Sequence, residues 1–229
     1  MKFLFIVIML LLNTQLLKAQ DNSGFQLKFE PMFNNTPLVL NDSFYHISNN
    51  DSIQISKLKF YISAIQFYNN NKLVFTEKNS YHLVDASNRQ SLNIIINKPQ
   101  NIKFNSIKFN LGIDSATNAK GALGGALDPT KGMYWAWHSG YINFKLEGTS
   151  NICNTRNNVF EFHLGGFAAP YNSLQTIQLP ISNTTIADIA VDINEFLLQI
   201  NLAKTNAIMT PSKETIELSQ KATKMFYIK

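Results

Sequence analysis

The chain has a single cysteine, Cys153, among 229 residues. One cysteine excludes a disulfide scaffold and any Cys-rich metal cluster. Charge is thin: 20 Lys and Arg stand against 15 Asp and Glu, a formal +5. A surplus this dilute makes no case for a nucleic-acid partner. Long apolar runs are missing, apart from Phe3–Leu12. That run is too short to cross a bilayer comfortably, which takes about 20 apolar residues. Enzyme signatures are missing as well. There is no Gly-x-Ser-x-Gly elbow, no His-Glu-x-x-His, no Walker loop and no Gly-x-Gly-x-x-Gly turn. The acidic spacing between Asp114 and Asp128 does not fit a calcium loop.

The apolar run has a clear reading of its own. Lys2 precedes it, polar Asn13, Thr14 and Gln15 close it, and small Ala19 follows. Met1–Ala19 therefore reads as a cleavable secretory signal peptide. Without Lys2 and Lys18 the formal charge falls to +3. The expected product is periplasmic, or secreted to the cell surface, with no membrane span. In that oxidising setting a lone Cys153 is most simply a buried one.

What the sequence does have is β-pattern and aromatic mass. A hydrophobic share of 45% with 17 Phe supplies a core. Phe25, Leu27 and Phe29 alternate with Gln26 and Lys28, and Leu58, Phe60 and Ile62 with Lys59 and Tyr61. One-residue slips at Ala64 and at Ser106 suggest β-bulges. Asn-rich stretches at 49–51, 69–71 and 157–158 separate the runs, and Asn tolerates left-handed turns. Helix is confined to the end: Asn194–Ala203, and a segment opened by Thr210-Pro211 and running to about Ala222. Met225–Ile228 reads as a closing strand. The fold class expected is all-β, an antiparallel β-sandwich with long loops and one or two short C-terminal helices. It forms one domain over residues 24–229.

Gly112–Gly132 breaks the rhythm, and at roughly 20 residues it is long enough to be a functional loop. The densest aromatic stretch follows, Gly132-Met-Tyr-Trp-Ala-Trp-His-Ser-Gly-Tyr141. As a regular strand it would put Trp135, Trp137, Ser139 and Tyr141 on one face and His138 on the other. The pair of Trp is either a binding wall or a core anchor. His163, in Val159–Gly166, groups by alternation with Glu161 and Val159, opposite Phe160, Phe162 and Leu164. His82 and His46 are isolated in strand-like runs. Glu147, Glu161 and Asp85 are candidate acids with no partner visible in the sequence. Neutral imidazole is a common copper and zinc ligand, yet four scattered His specify no site by themselves.

The segment 132–141, continuing through Phe144-Lys-Leu-Glu-Gly148, resembles the signature of the MbnP-like domain family of copper-binding proteins. Leu58–Ser63, Tyr81–Asp85, Phe109–Asp114, Leu127–Pro129 and Phe162–Gly166 also fit its pattern, so the resemblance runs from about residue 25 to the C-terminus. It implies an exported β-sandwich that holds one copper ion between two His and a kynurenine made from Trp. It also implies a dihaem peroxidase-type partner that performs the oxidation. Carried over by position, Trp135 and Trp137 are the candidates for modification, and His163, His138 and His82 the candidate metal ligands. The chain departs from the family at one point. The family places its modified Trp and one ligand His two residues apart, whereas here Trp137 takes that place and His138 follows. The function expected is a non-enzymatic copper-binding protein for acquisition, storage or delivery. The alternative is a binding or adhesion module of the same fold, with the Trp pair stacking on a sugar or peptide.

Overall fold

The computed structural model describes residues 24–99, 101–137, 140–182 and 184–229. The signal-peptide reading of Met1–Ala19 and the candidate ligand His138 lie outside the described residues. Among those residues no helix is long and apolar enough to cross a membrane.

Two sheets face each other. One is built from β1 (Phe25–Phe33), β2 (Thr36–Pro37), β6 (Asn93–Ile96), β12 (Ile186–Asp192) and β14 (Phe226–Ile228). The other centres on β3 (Ile53–Asn69), β9 (Gly140–Ser150) and β10 (Val159–Gly165). Around them lie β4 (Lys72–Thr76), β5 (Tyr81–Asp85), β7 (Ser106–Leu111), β8 (Tyr134–Trp135), β11 (Gln175–Pro180) and β13 (Ala207–Ile208). Most ladders are antiparallel, as expected. Two are parallel: β1 with β12, over Gln26–Met32 and Ile186–Asp192, and β10 with β13.

Alternation sends the Phe-rich faces inward. Phe29 meets Phe60 and Phe109 of the opposite sheet edge-on, at 5.8 and 6.2 Å between ring centres, and Phe25 meets Phe67 at 4.9 Å. All five rings are fully buried. Each such side chain contributes about 1.5–3 kcal/mol by leaving water, and the edge-on geometry suits the ring quadrupoles. Cys153 is buried in the same core, and burial pushes its thiol pKa up.

The slip at Ala64 is a bulge. Ala64 has φ 52°, and the β3–β7 register shifts between Ser63 and Gln66. Ser80 fills the break: its carbonyl accepts from Ala64 N–H at 3.1 Å and its hydroxyl from Ile65 N–H at 2.9 Å. The slip at Ser106 is where β7 begins rather than a bulge, because Ile102 and Phe104 precede the strand. Asn70, Asn71, Asn157 and Asn158 all have positive φ in the turns. At the C-terminal end a five-residue helix, Ile193–Leu197, starts at Asp192, whose carboxylate accepts from Asn194 N–H and from Asn34 and Asn35 N–H of the β1–β2 turn. It is shorter than the expected Asn194–Ala203. The second helix is Lys213–Ala222, and Ser212 caps it in place of the Thr210-Pro211 opening.

Candidate functional site

The outward face of the larger sheet is where chemistry collects. Register puts two rows of polar side chains across neighbouring strands. In one, Glu161 on β10 lies opposite Glu147 on β9, which lies opposite Lys57 on β3. In the next, His163 lies opposite Lys145, then Lys59, then Asp85. Like charges directly opposite repel, so the Glu161–Glu147 pair needs compensation. Lys57 Nζ supplies it at 2.7 Å from Glu147 Oε2, and Lys145 Nζ lies 3.9 Å from Oε1. Lys59 pairs with Asp85 at 2.9 Å.

His163 is buried, with Nε2 2.8 Å from Glu147 Oε1. Burial pushes the Glu147 pKa up, but hydrogen bonds from Lys57 and His163 outweigh it and hold the carboxyl below its ordinary value. An ionised carboxylate only accepts, so Nε2 must donate. Burial, then the Lys145 charge, lower the His163 pKa, and the ring is neutral. In a neutral ring with Nε2 protonated, Nδ1 carries the lone pair. Among the described residues Nδ1 has no polar partner. A carboxylate that fixes the tautomer of a histidine through its other nitrogen is the usual outer partner of a metal-ligating histidine.

The Gly112–Gly132 loop lies over the neighbouring part of this face and makes a second small core. Ile113, Leu127, Met133 and Trp135 pack there with Tyr61, Tyr141 and Ile142. Two sheet lysines hold its end: Lys145 donates to Gly132 O at 2.6 Å and Lys59 to Lys131 O at 3.3 Å. The chain then enters β8 and turns back, with Trp135 pairing Gly140 and Tyr134 pairing Tyr141. The expectation of one regular strand through Trp135, Trp137 and Tyr141 is therefore corrected. Trp135 ends β8 and pairs back onto Gly140, where β9 begins, so Trp137 lies in the connection between the two strands.

The hairpin splits the two Trp. Trp135 is 6% exposed and Trp137 65%, with ring centres 5.6 Å apart. The six-membered ring of Trp135 lies on Gly165, where a Cβ would come within 2.7 Å of Cζ3. Gly165 is two residues beyond His163 on β10. The fold thus brings Trp135, with Trp137 behind it, to the strand end that carries His163.

It does not bring His82 there. His82 pairs with Ile62 on β3 and so points to the opposite face from Lys59 and His163. Its Nε2 bonds Glu77, at 2.9 Å to Oε2. His46 bonds Asp51 O through Nδ1. Glu147 is the residue that sequence reasoning left without a role. The signal was there in outline, since Lys57, Lys59, Lys145, Glu147, Glu161 and His163 all sit at outward positions, but only strand register joins them. Imidazole nitrogen beside two carboxylates, with an indole nearby, is a donor set that a borderline metal ion such as copper or zinc fits.

The family model for MbnP matches residues 22–211. Among solved structures, MbnP from Methylosinus trichosporium is similar in fold, with a TM-score of 0.55 at 10% identity, covering 82% of this chain and 81% of that one. No curated protein matches the chain.

Proposed function

The chain belongs to the MbnP family, and on that premise we propose that it is an exported, non-catalytic copper-binding protein serving acquisition, storage or delivery. The observation that carries the reading is the side chain of His163, neutral and buried, with Nε2 committed to Glu147 and the Nδ1 lone pair uncommitted among the described residues, two positions along β10 from the Gly165 on which Trp135 rests. Copper is the cargo. Imidazole suits it in either oxidation state.

Trp135 is the residue we assign for oxidation to kynurenine by a dihaem peroxidase-type partner, with exposed Trp137 as the neighbour that partner meets first. Opening the indole would release an aniline nitrogen at the strand end that carries His163. His138 is the remaining family-derived ligand, and His82 is left out because it faces away. A second reading, an adhesion module, draws on one observation, the exposed face of Trp137.

The test is competition titration with Cu(I), on protein from the native host and on recombinant protein. His163→Ala should abolish tight one-to-one binding, and Glu147→Gln should weaken it by about 10–100-fold. His82→Ala should leave it unchanged. Equal affinity in the wild type and His163→Ala would dismiss the assignment.

A further inference from the structure

Glu147, Glu161 and His163 offer ligand atoms that all lie within 4.8 Å of one another. Two carboxylates and an imidazole are a donor set that Zn(II) and Cu(II) take readily. Ligand atoms around a tetrahedral zinc lie about 3.4 Å apart, from bonds of about 2.1 Å.

Two ammonium groups oppose it. Lys57 Nζ occupies Glu147 Oε2 at 2.7 Å. Lys145, only 11% exposed, is fixed by Gly132 O at 2.6 Å and stands 3.9 Å from Glu147 Oε1. The pairing has a structural cause, since Glu161 and Glu147 are direct cross-strand neighbours and repel until a cation joins them. The outcome is local neutrality, two carboxylates against two ammoniums. A divalent ion reaching this wall meets no net negative charge. Both Glu147 oxygens are already engaged, Oε2 by Lys57 and Oε1 by His163 Nε2, so the ion must displace the ammonium or the imidazole proton before it gains one.

We propose that Lys57, with Lys145 behind it, bars divalent cations from the His163 site, and that Glu147, Glu161 and His163 are a latent divalent-metal site which removal of the Lys57 charge opens. For copper this means selection of the monovalent ion, which takes the Nδ1 lone pair of His163, away from the Nε2 edge that faces Glu147, and needs neither carboxylate. That consequence rests on the copper reading above. The barrier itself does not.

Zn(II) affinity of the purified chain, measured against a chromophoric chelator, tests it. Lys57 is half-exposed, so Lys57→Met should fold, and circular dichroism checks that. One unit charge about 5 Å away in a partly buried setting is worth more than a factor of ten. Lys57→Met should therefore bind Zn(II) at least about tenfold tighter than wild type, and Lys57→Arg should not. Adding Glu147→Gln should remove the gain. Lys59→Met, whose partner is Asp85, should show none. The proposal falls if folded Lys57→Met gains nothing, if the gain survives Glu147→Gln, or if Lys59→Met gains as much. A parallel Cu(I) titration separates the two readings. A Zn(II) gain without Cu(I) binding in wild type ends the copper reading and leaves the barrier. Cu(I) binding through His163 without a Zn(II) gain does the reverse.

Discussion

Gly165→Ala should pry the Trp hairpin from the sheet and strain the β9–β10 ladder beside it. A Cβ at 165 would stand 2.7 Å from Trp135 Cζ3, 2.9 Å from Cη2 and 2.7 Å from Tyr141 O. Carbon atoms pack at about 3.5 Å or more, so the indole must retreat by roughly 1 Å or β10 must shift. Overpacking of this kind costs about 1–3 kcal/mol. In a domain of this size each kcal/mol lowers the melting temperature by about 2–4 °C, so a fall of roughly 2–12 °C is expected by thermal unfolding. Emission supplies a second readout. Trp137 already faces water while Trp135 is buried, so a displaced Trp135 should move the spectrum to longer wavelength. Gly124→Ala is the control. Nothing lies within 4 Å of a Cβ there, and stability should hold or rise by about 0.4–1 kcal/mol. A Gly165→Ala protein with unchanged melting and unchanged emission would refute the seating of Trp135 on β10.

The His163 environment predicts a pH dependence. Its folded pKa lies below the ordinary 6.5, so below that pH the unfolded chain takes up a proton that the folded chain resists. The associated stability is present above pH 6.5 and is lost as pH falls through the folded value. Urea unfolding from pH 7 to 5 should show wild-type stability dropping more steeply than that of His163→Gln; parallel curves would contradict the assigned neutral ring. Asp192→Ala should cost about 1–3 kcal/mol in the same assay. Its carboxylate accepts three backbone N–H groups, from Asn34, Asn35 and Asn194; a loss under 0.5 kcal/mol, by the usual scatter of surface substitutions, would be roughly nil and would speak against that role.

Much of the scaffold was legible because period-two alternation survives in single strands. Phe25, Leu27 and Phe29 point inward as their spacing says, and the slip at Ala64 marks a real bulge. The parallel β1–β12 pairing was not legible, since it joins residues about 160 positions apart and leaves no local trace. The aromatic segment misled for a local reason. Trp, Tyr and Ala read as strand formers, yet Trp135 pairs back onto Gly140 and packs on Gly165, contacts that no local pattern announces. The site was half visible. His163 stood out by its place before two Gly, whereas its dependence on Glu147, Lys57 and Lys145 arises from cross-strand register alone. His82, the third candidate ligand by sequence, lies on the other face, because one step of parity sends it there.

The most direct test of the central claim is nitrogen NMR of protein labelled in its histidine rings, followed during addition of one equivalent of Cu(I). The account predicts that His163 Nδ1 shifts while Nε2 keeps its proton and its bond to Glu147. A shift or deprotonation at Nε2, or no change in His163 while copper binds, would contradict it.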